Sequence, residues 1–310
     1  MRRCPITLEP VDSDRIYSLD GLKSVHPRLT DLKCLEISHD EQLKQARLRA
    51  DKMSIQGVQP KVSAVLRLKK QKFELVDKGG KFILKPNPPQ FEEVPENEAL
   101  TMRMAMTVGI EVPAHGLLHS IDDSWVYFVK RFDRIGRARR IHIEDFAQLS
   151  GSTRETKYDS SLEQVAKIID TFCTFPAIEK PKLAMRLLFC FLTGNEDMHL
   201  KNFSLRSYDG VVSLTPAYDL LNTTLILENT KEESALSLMG KRNRLNRKLW
   251  IEYFCIERLG LNEAQVDSIL LTLKSSITLW EQLIKSSYLS EVNQKKYNDI
   301  LSERCVRLEF

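Results

Sequence analysis

GNEDMHLKNFS, residues 194–204, is the stretch on which the fold turns. It closes an apolar segment of helical spacing, Lys182 to Thr193, and runs into a short hairpin. The expected strands are Asn202 to Ser207 and Val211 to Leu214, joined by Tyr208-Asp209-Gly210. Asp-Gly takes the left-handed backbone that a two-residue hairpin turn demands. Past the hairpin, LTPAYDL (214–220) carries a second carboxylate, Asp219, back beside Asn202. Helix end, loop and hairpin thus deliver a carboxylate, an amide oxygen and another carboxylate in order. That set suits metal-dependent phosphoryl transfer: Asp197 takes the proton of an attacking hydroxyl, while Asn202 and Asp219 hold magnesium. D-x-x-x-x-N alone arises often by chance; D-x-H-x-x-N followed by an Asp-Gly hairpin and an aspartate is much more specific. Two other readings stay open. Asp197 and Asp219 could cap neighbouring elements, or Asp197, His199 and Asp219 could ligate a hydrolase metal. His199 is either a contact to phosphate or to Asp197, or a hydrogen-bonded structural histidine.

Working outward, the chain changes character once. Asp40 to Met53 reads as a polar helix. Lys61 to Leu68, Phe73 to Asp77 and Lys81 to Lys85 are β-branched or aromatic runs, the last two a hairpin about Lys78-Gly79-Gly80. Pro95 opens a helix with acidic residues in its first turn, and Gly109 stops it. Trp125 to Arg131 gives a further strand. After about residue 135 the pattern is helical: Ile143 to Leu149, Leu162 to Phe175, Lys182 to Thr193, and most of the chain after Asn246. The expected class is α+β and two-lobed, like protein kinases, with a β-rich N-lobe over 1–134 and a helical C-lobe over 135–310.

Three further constellations fit phosphate chemistry. MSIQGVQPK (53–61) joins a helix to the first strand, where small residues let backbone amides approach phosphates and Lys61 adds charge; alone it is equally an ordinary turn. Lys85, in FILKP, could bridge two phosphates if a carboxylate on the next helix, Glu96 or Glu98, held it. FVKRFDR (128–134) could hold adenine through backbone groups at Lys130, Arg131 and Phe132.

Taken together, SIQGVQPK, FILKPN with PENEALTMRMA, VKRFDR with EDFAQL, GNEDMHLKNFSL and TPAYDLL resemble HipA-like serine/threonine kinases, in the family's order over roughly residues 50 to 240. The resemblance implies a kinase-like fold, ATP and magnesium. It implies Asp197 as catalytic base and Asn202 and Asp219 as metal ligands. Nucleotide contacts would come from Gln56, Gly57, Val58, Gln59, Pro60, Lys61, Lys85, Glu98, Lys130, Arg131, Phe132, His199, Lys201, Asn202, Tyr218 and Asp219. Ser54 matches the family's autophosphorylated serine; the short form's second serine corresponds to Gln56 here. The phosphate-binding loop is reached by residue 54, leaving no room for the extra N-terminal subdomain of longer members, so the chain looks like the short HipT form. That form implies a HipS-like small protein as antitoxin, a HipB-like helix-turn-helix protein that contacts DNA, and an aminoacyl-tRNA synthetase as substrate.

Composition narrows the alternatives. The chain has 310 residues, 42% hydrophobic and 28% charged, ordinary for a globular enzyme. A net charge of +4 is too mild to argue nucleic-acid binding, and KRNRLNRK (241–248) reads first as a solvated basic face. Six scattered cysteines without a CxxC pair argue against a zinc ribbon or a thioredoxin-type site. The best apolar run, Leu183 to Thr193, is short and broken by Arg186, and MRRCPITLEP lacks a signal peptide's apolar core, so a cytoplasmic location is expected. A small-molecule kinase and a catalytically silent scaffold in a repressor complex are the rival functions.

Overall fold

The computed structural model of the protein describes residues 2–12, 14–50, 59–136, 139–153, 156–227 and 231–310. It divides into two compact units that interleave along the chain. The first comprises Met1–Arg103, Pro113–Phe132 and Lys285–Ser290; the second comprises Met104–Val112, Asp133–Ile284 and Glu291–Phe310. Among the described residues, no helix is long and apolar enough to cross a membrane.

The first unit opens with α1 (Leu19–Val25), capped by the Ser18 hydroxyl, and α2 (His39–Ala50). A five-stranded antiparallel sheet follows: β1 (Val62–Arg67), β2 (Lys72–Leu75), β3 (Phe82–Pro86), β4 (His115–His119) and β5 (Trp125–Lys130), in the order β2-β1-β3-β5-β4. The hairpin expected between β2 and β3 does not form, because β1 lies between them and pairs with both. The segment after β2 crosses β1 instead, with Val76 N–H donating to Ser63 O and Lys81 N–H to Ala64 O. Gly80 is needed for that crossing, since a Cβ there would sit 1.9 Å from Ser63 Oγ. Phe73, Phe82 and Phe128 pack with ring centroids 4.9–6.5 Å apart, at the heart of a core shared with α1 and the preceding coil. Between β3 and β4 runs α3 (Val94–Thr107), whose last residues belong to the second unit. It ends as expected at Gly109 (φ 77°), with Gly109 N–H on Met106 O and Ile110 N–H on Ala105 O, a closed Schellman cap.

The second unit begins with a two-stranded ladder, β6 (Arg134–Ile135) and β7 (Arg139–Arg140). Next come β8 (His142–Asp145) and α4 (Phe146–Leu149). The sequence predicts a helix from Ile143; the first residues instead form a strand, because β8 completes a sheet with β9 (Ser204–Tyr208) and β10 (Val211–Leu214) in the order β10-β9-β8. Asp145 and Gln148 then start α4 with a capping box. The expected Asp-Gly turn is present, Asp209 and Gly210 having φ 49° and 80°. Helices α5 (Leu162–Phe172), α6 (Pro176–Leu192), α7 (Thr223–Ile226), a π-helical segment (Lys248–Arg258), α8 (Glu263–Ser286) and α9 (Glu291–Leu308) make up most of the rest. Within this unit buried Trp280 meets Phe189 edge-on at 5.4 Å, and its indole N–H donates to Thr107 Oγ1 at 2.8 Å.

Candidate active site

The loop after α6 owes its shape to Gly194. At φ 65° it closes the helix, with Gly194 N–H on Phe191 O and Asn195 N–H on Cys190 O. A Cβ at this position would lie 2.9 Å from Asn222 Oδ1 and from Ile300 Cγ2, so only glycine fits the bend. Asp197 then has its backbone held from both sides. Its N–H donates to Asn195 Oδ1 at 3.2 Å, and its carbonyl accepts from His199 N–H at 2.8 Å and Asn202 Nδ2 at 2.7 Å. The last bond also orients the Asn202 carboxamide, its nitrogen turned to Asp197 and its oxygen at the opposite corner of the amide. Asn202 closes the short 3-10 turn Leu200–Asn202 and leads straight into β9.

The hairpin returns the chain to this point. Leu214 pairs with Leu205, and Thr215 N–H donates to Ser204 O at 3.0 Å. Tyr218 then braces the return: its hydroxyl donates to Lys201 O at 3.0 Å and accepts from Ser204 Oγ at 2.5 Å. The next residue, Asp219, has φ 54°, a left-handed backbone that a non-glycine residue adopts at some cost. Asp197 and Asp219 both act on His199. Burial, aided by the Lys157 ammonium, holds that imidazole below its ordinary pKa, while the two carboxylates pull the other way. His199 Nε2 accepts from Lys157 Nζ at 2.6 Å, so the ring is neutral with its proton on Nδ1, which is buried without a hydrogen-bond partner among the described residues. Lys201, expected at the nucleotide, is paired with Asp145 at 2.9 Å.

In the first unit, Lys85 on β3 and Glu98 on α3 form an ion pair of 2.6 Å, 3% and 1% exposed. The structure thereby chooses Glu98 over Glu96, whose carboxyl burial pushes up to about 7. The Lys85 ammonium also lies 5.5 Å from the centre of the Tyr127 ring. The Lys130 and Arg131 amides are engaged within the unit, donating to Ala114 O and Lys81 O at 2.8 Å each. Gln59, Pro60 and Lys61 enter β1, whereas Ser54, Gln56, Gly57 and Val58 lie outside the described residues.

Among the described residues, no group of three or more His, Cys, Asp and Glu side chains could hold a metal. Asp197, His199 and Asp219 therefore do not form a hydrolase-type ligand set. An amide oxygen from Asn202 with a carboxylate from Asp219 would be a different donor set, hard and oxygen-only, of the kind magnesium takes alongside phosphates and water.

The model of the HipA-like C-terminal domain matches residues 53–280. The chain belongs to the HipA-like family. It is 30% identical over 254 residues to a candidate kinase of Haemophilus influenzae, covering 73% of this chain and 72% of that protein. It is 27% identical to the serine/threonine-protein kinase toxin HipA of Shewanella oneidensis, over 60% of this chain but only 47% of HipA's length. A solved complex of Shewanella HipA with HipB and operator DNA superposes over 91% of this chain and 74% of the HipA chain, with TM-score 0.71 and 21% identity. The fold is thus the two-lobed, kinase-like α+β class that the sequence predicts.

Two features of this HipA-like site escape sequence reasoning. Tyr158 donates its hydroxyl to Asp197 Oδ1 at 2.7 Å, across 39 positions. Arg304, on α9, reaches Glu196 at 3.1 Å across 108 positions, both side chains buried, and stacks over Phe191. No local pattern marks either. The basic run 241–248 is partly structural, since Arg242 donates to Tyr158 O and Arg247 to Leu308 O.

Proposed function

We propose that the chain is an ATP- and magnesium-dependent serine/threonine protein kinase toxin, its lobes divided near residue 134. The observation that carries this reading is the bond from Asn202 Nδ2 to the Asp197 carbonyl at 2.7 Å, which sets a base and a metal-facing amide oxygen side by side. Asp197 takes the proton of the acceptor hydroxyl. Asn202 and Asp219 would hold magnesium, which supplies charge neutralisation along the phosphates when bound. Lys85, fixed by Glu98, would reach the α- and β-phosphates. Gln56 to Lys61, Lys130 to Phe132 and His199 would contribute the remaining nucleotide contacts.

Ser54 is the proposed autophosphorylation site. A phosphate there adds nearly two negative charges where ATP phosphates bind, and so regulates the enzyme. A HipB-like protein is the proposed partner, a reading supported by the HipB and operator DNA bound to Shewanella HipA. A HipS-like antitoxin, an aminoacyl-tRNA synthetase substrate and action in the cytoplasm complete the reading.

Labelled ATP and cell extract test it. Label should enter protein serine and Ser54, and Asp197→Asn should lower transfer at least about a thousandfold. Label confined to small metabolites would make it a small-molecule kinase, and toxicity unchanged in Asp219→Ala would make it a scaffold.

A further inference from the structure

The segment before α5 is built onto the catalytic loop. Leu200 N–H donates to Lys157 O at 3.4 Å, and Lys157 Nζ reaches His199 Nε2. The Tyr158 ring stands edge-on to the His199 ring at 5.0 Å and 80°. The same ring lies 4.7 Å from the Lys157 ammonium. The segment is also anchored from its other side. Arg242 Nη2 donates to Tyr158 O at 2.5 Å, and Ser161 bridges to Ser237, with Leu162 N–H on Ser237 O at 2.9 Å. Tyr158 is therefore held where it stands.

What it holds is the side chain of Asp197. The backbone bonds described above fix the main chain of that residue but leave its carboxylate free to rotate. Among the described residues, the Tyr158 hydroxyl is the donor that reaches the carboxylate, at 2.7 Å on Oδ1. A hydrogen bond to an ionised acceptor is short and directional, so it selects one rotamer. With Oδ1 occupied, Oδ2 is the oxygen presented to an acceptor hydroxyl.

We infer that Tyr158 is a positioning residue, which locks the carboxylate of Asp197 so that Oδ2 meets the incoming hydroxyl. The inference rests on the kinase reading and adds to it a residue from outside the D-x-H-x-x-N motif. The hydroxyl acts on Asp197 and the ring on His199, a proposed nucleotide contact, so removing the hydroxyl alone separates positioning from nucleotide binding. A base free to swing spends less time aligned, which slows the chemical step without weakening substrate binding.

The test uses the full chain and three proteins: wild type, Tyr158→Phe and Asp197→Asn. Tyr158→Phe removes one oxygen and keeps the ring against His199. Its kcat for transfer to protein serine should fall between about tenfold and a hundredfold, while KM for ATP and the Kd of a non-hydrolysable ATP analogue stay within about twofold of wild type. Restoring a ring hydroxyl as 3-fluorotyrosine at position 158 should recover most of the rate. An unchanged or increased kcat in Tyr158→Phe would overturn the inference, as would a Kd that weakens as much as kcat falls. If wild type transfers phosphate and only Asp197→Asn loses it, this inference alone fails. If wild type transfers none, the kinase reading fails and this inference goes with it.

Discussion

In the first unit the chemical groups sit on regular elements: Lys85 on a strand, Glu98 on a helix, one buried ion pair of 2.6 Å between them. In the second, Asp197, Asn202 and Asp219 sit on irregular backbone. A glycine bend, two side-chain amides, a tyrosine brace and a buried arginine keep them in shape. A strand and a helix supply rigidity through their own hydrogen bonds, so one contact suffices to aim a side chain. A loop has no such ladder, and each of its residues must be tied separately. The second unit should therefore fail gradually, tie by tie, whereas the first should fail at a single point.

Breaking the Lys85 pair is the sharpest way to examine that contrast. Lys85→Met leaves the buried Glu98 charge without its ammonium and should cost about 4 kcal/mol, read as a fall in the urea midpoint. Replacing both partners, Lys85→Met with Glu98→Leu, should return most of that stability but no activity. If the double variant stayed as unstable as the single, the pair would be a structural bond rather than a device for phosphate.

Arg304→Leu should cost somewhat less, about 3 kcal/mol. Of its three carboxylate neighbours, Glu233 keeps Arg307 at 2.6 Å and Glu303 is half exposed, so Glu196 suffers most. Because Glu196 precedes Asp197, the proposed base, the variant should also lose rate at temperatures where it remains folded. Full activity in the folded Arg304→Leu protein would break the idea that the loop depends on separate ties.

The last effect concerns acid and is complete only below pH of about 4. Burial depresses the His115 imidazole to about 4. Its Nδ1 lies 2.9 Å from Pro113 O, and its Nε2 is buried without a hydrogen-bond partner among the described residues. Above pH of about 6.5 the neutral ring contributes no pH dependence. As pH falls from there towards 4, the unfolded chain takes a proton that the native ring refuses, and up to about 3 kcal/mol of stability is lost; below 4 the loss is complete. His115→Leu should flatten the slope of stability against pH in that window. Identical slopes for the two proteins would assign the acid sensitivity elsewhere.

The same contrast explains what was legible in the sequence. Local chemistry marks α3, because Pro95 and Gly109 bracket it, and marks the β9–β10 turn, because Asp209 and Gly210 need left-handed backbone. Sheet order is not local. Two strands flanking Gly79-Gly80 look like a hairpin until β1 claims the place between them. The helical spacing after Ile143 is real, yet β9 offers an unpaired edge that His142 to Asp145 fill. The motif exposes Asp197, Asn202 and Asp219, since their spacing is short or bridged by a recognisable turn. Tyr158 and Arg304 reach the loop across 39 and 108 positions, and one side-chain contact leaves no trace in the intervening residues.

The reach of Arg304 has a consequence for the order of events during synthesis. Ribosomes extend chains at roughly 5–20 residues per second. The 108 positions separating Glu196 from Arg304 thus correspond to a delay on the order of ten seconds. Throughout that interval the segment bearing Asp197 has been made while its distal anchor has not. A nascent chain accordingly spends those seconds with Glu196 lacking its arginine, the last tie of this loop to be made.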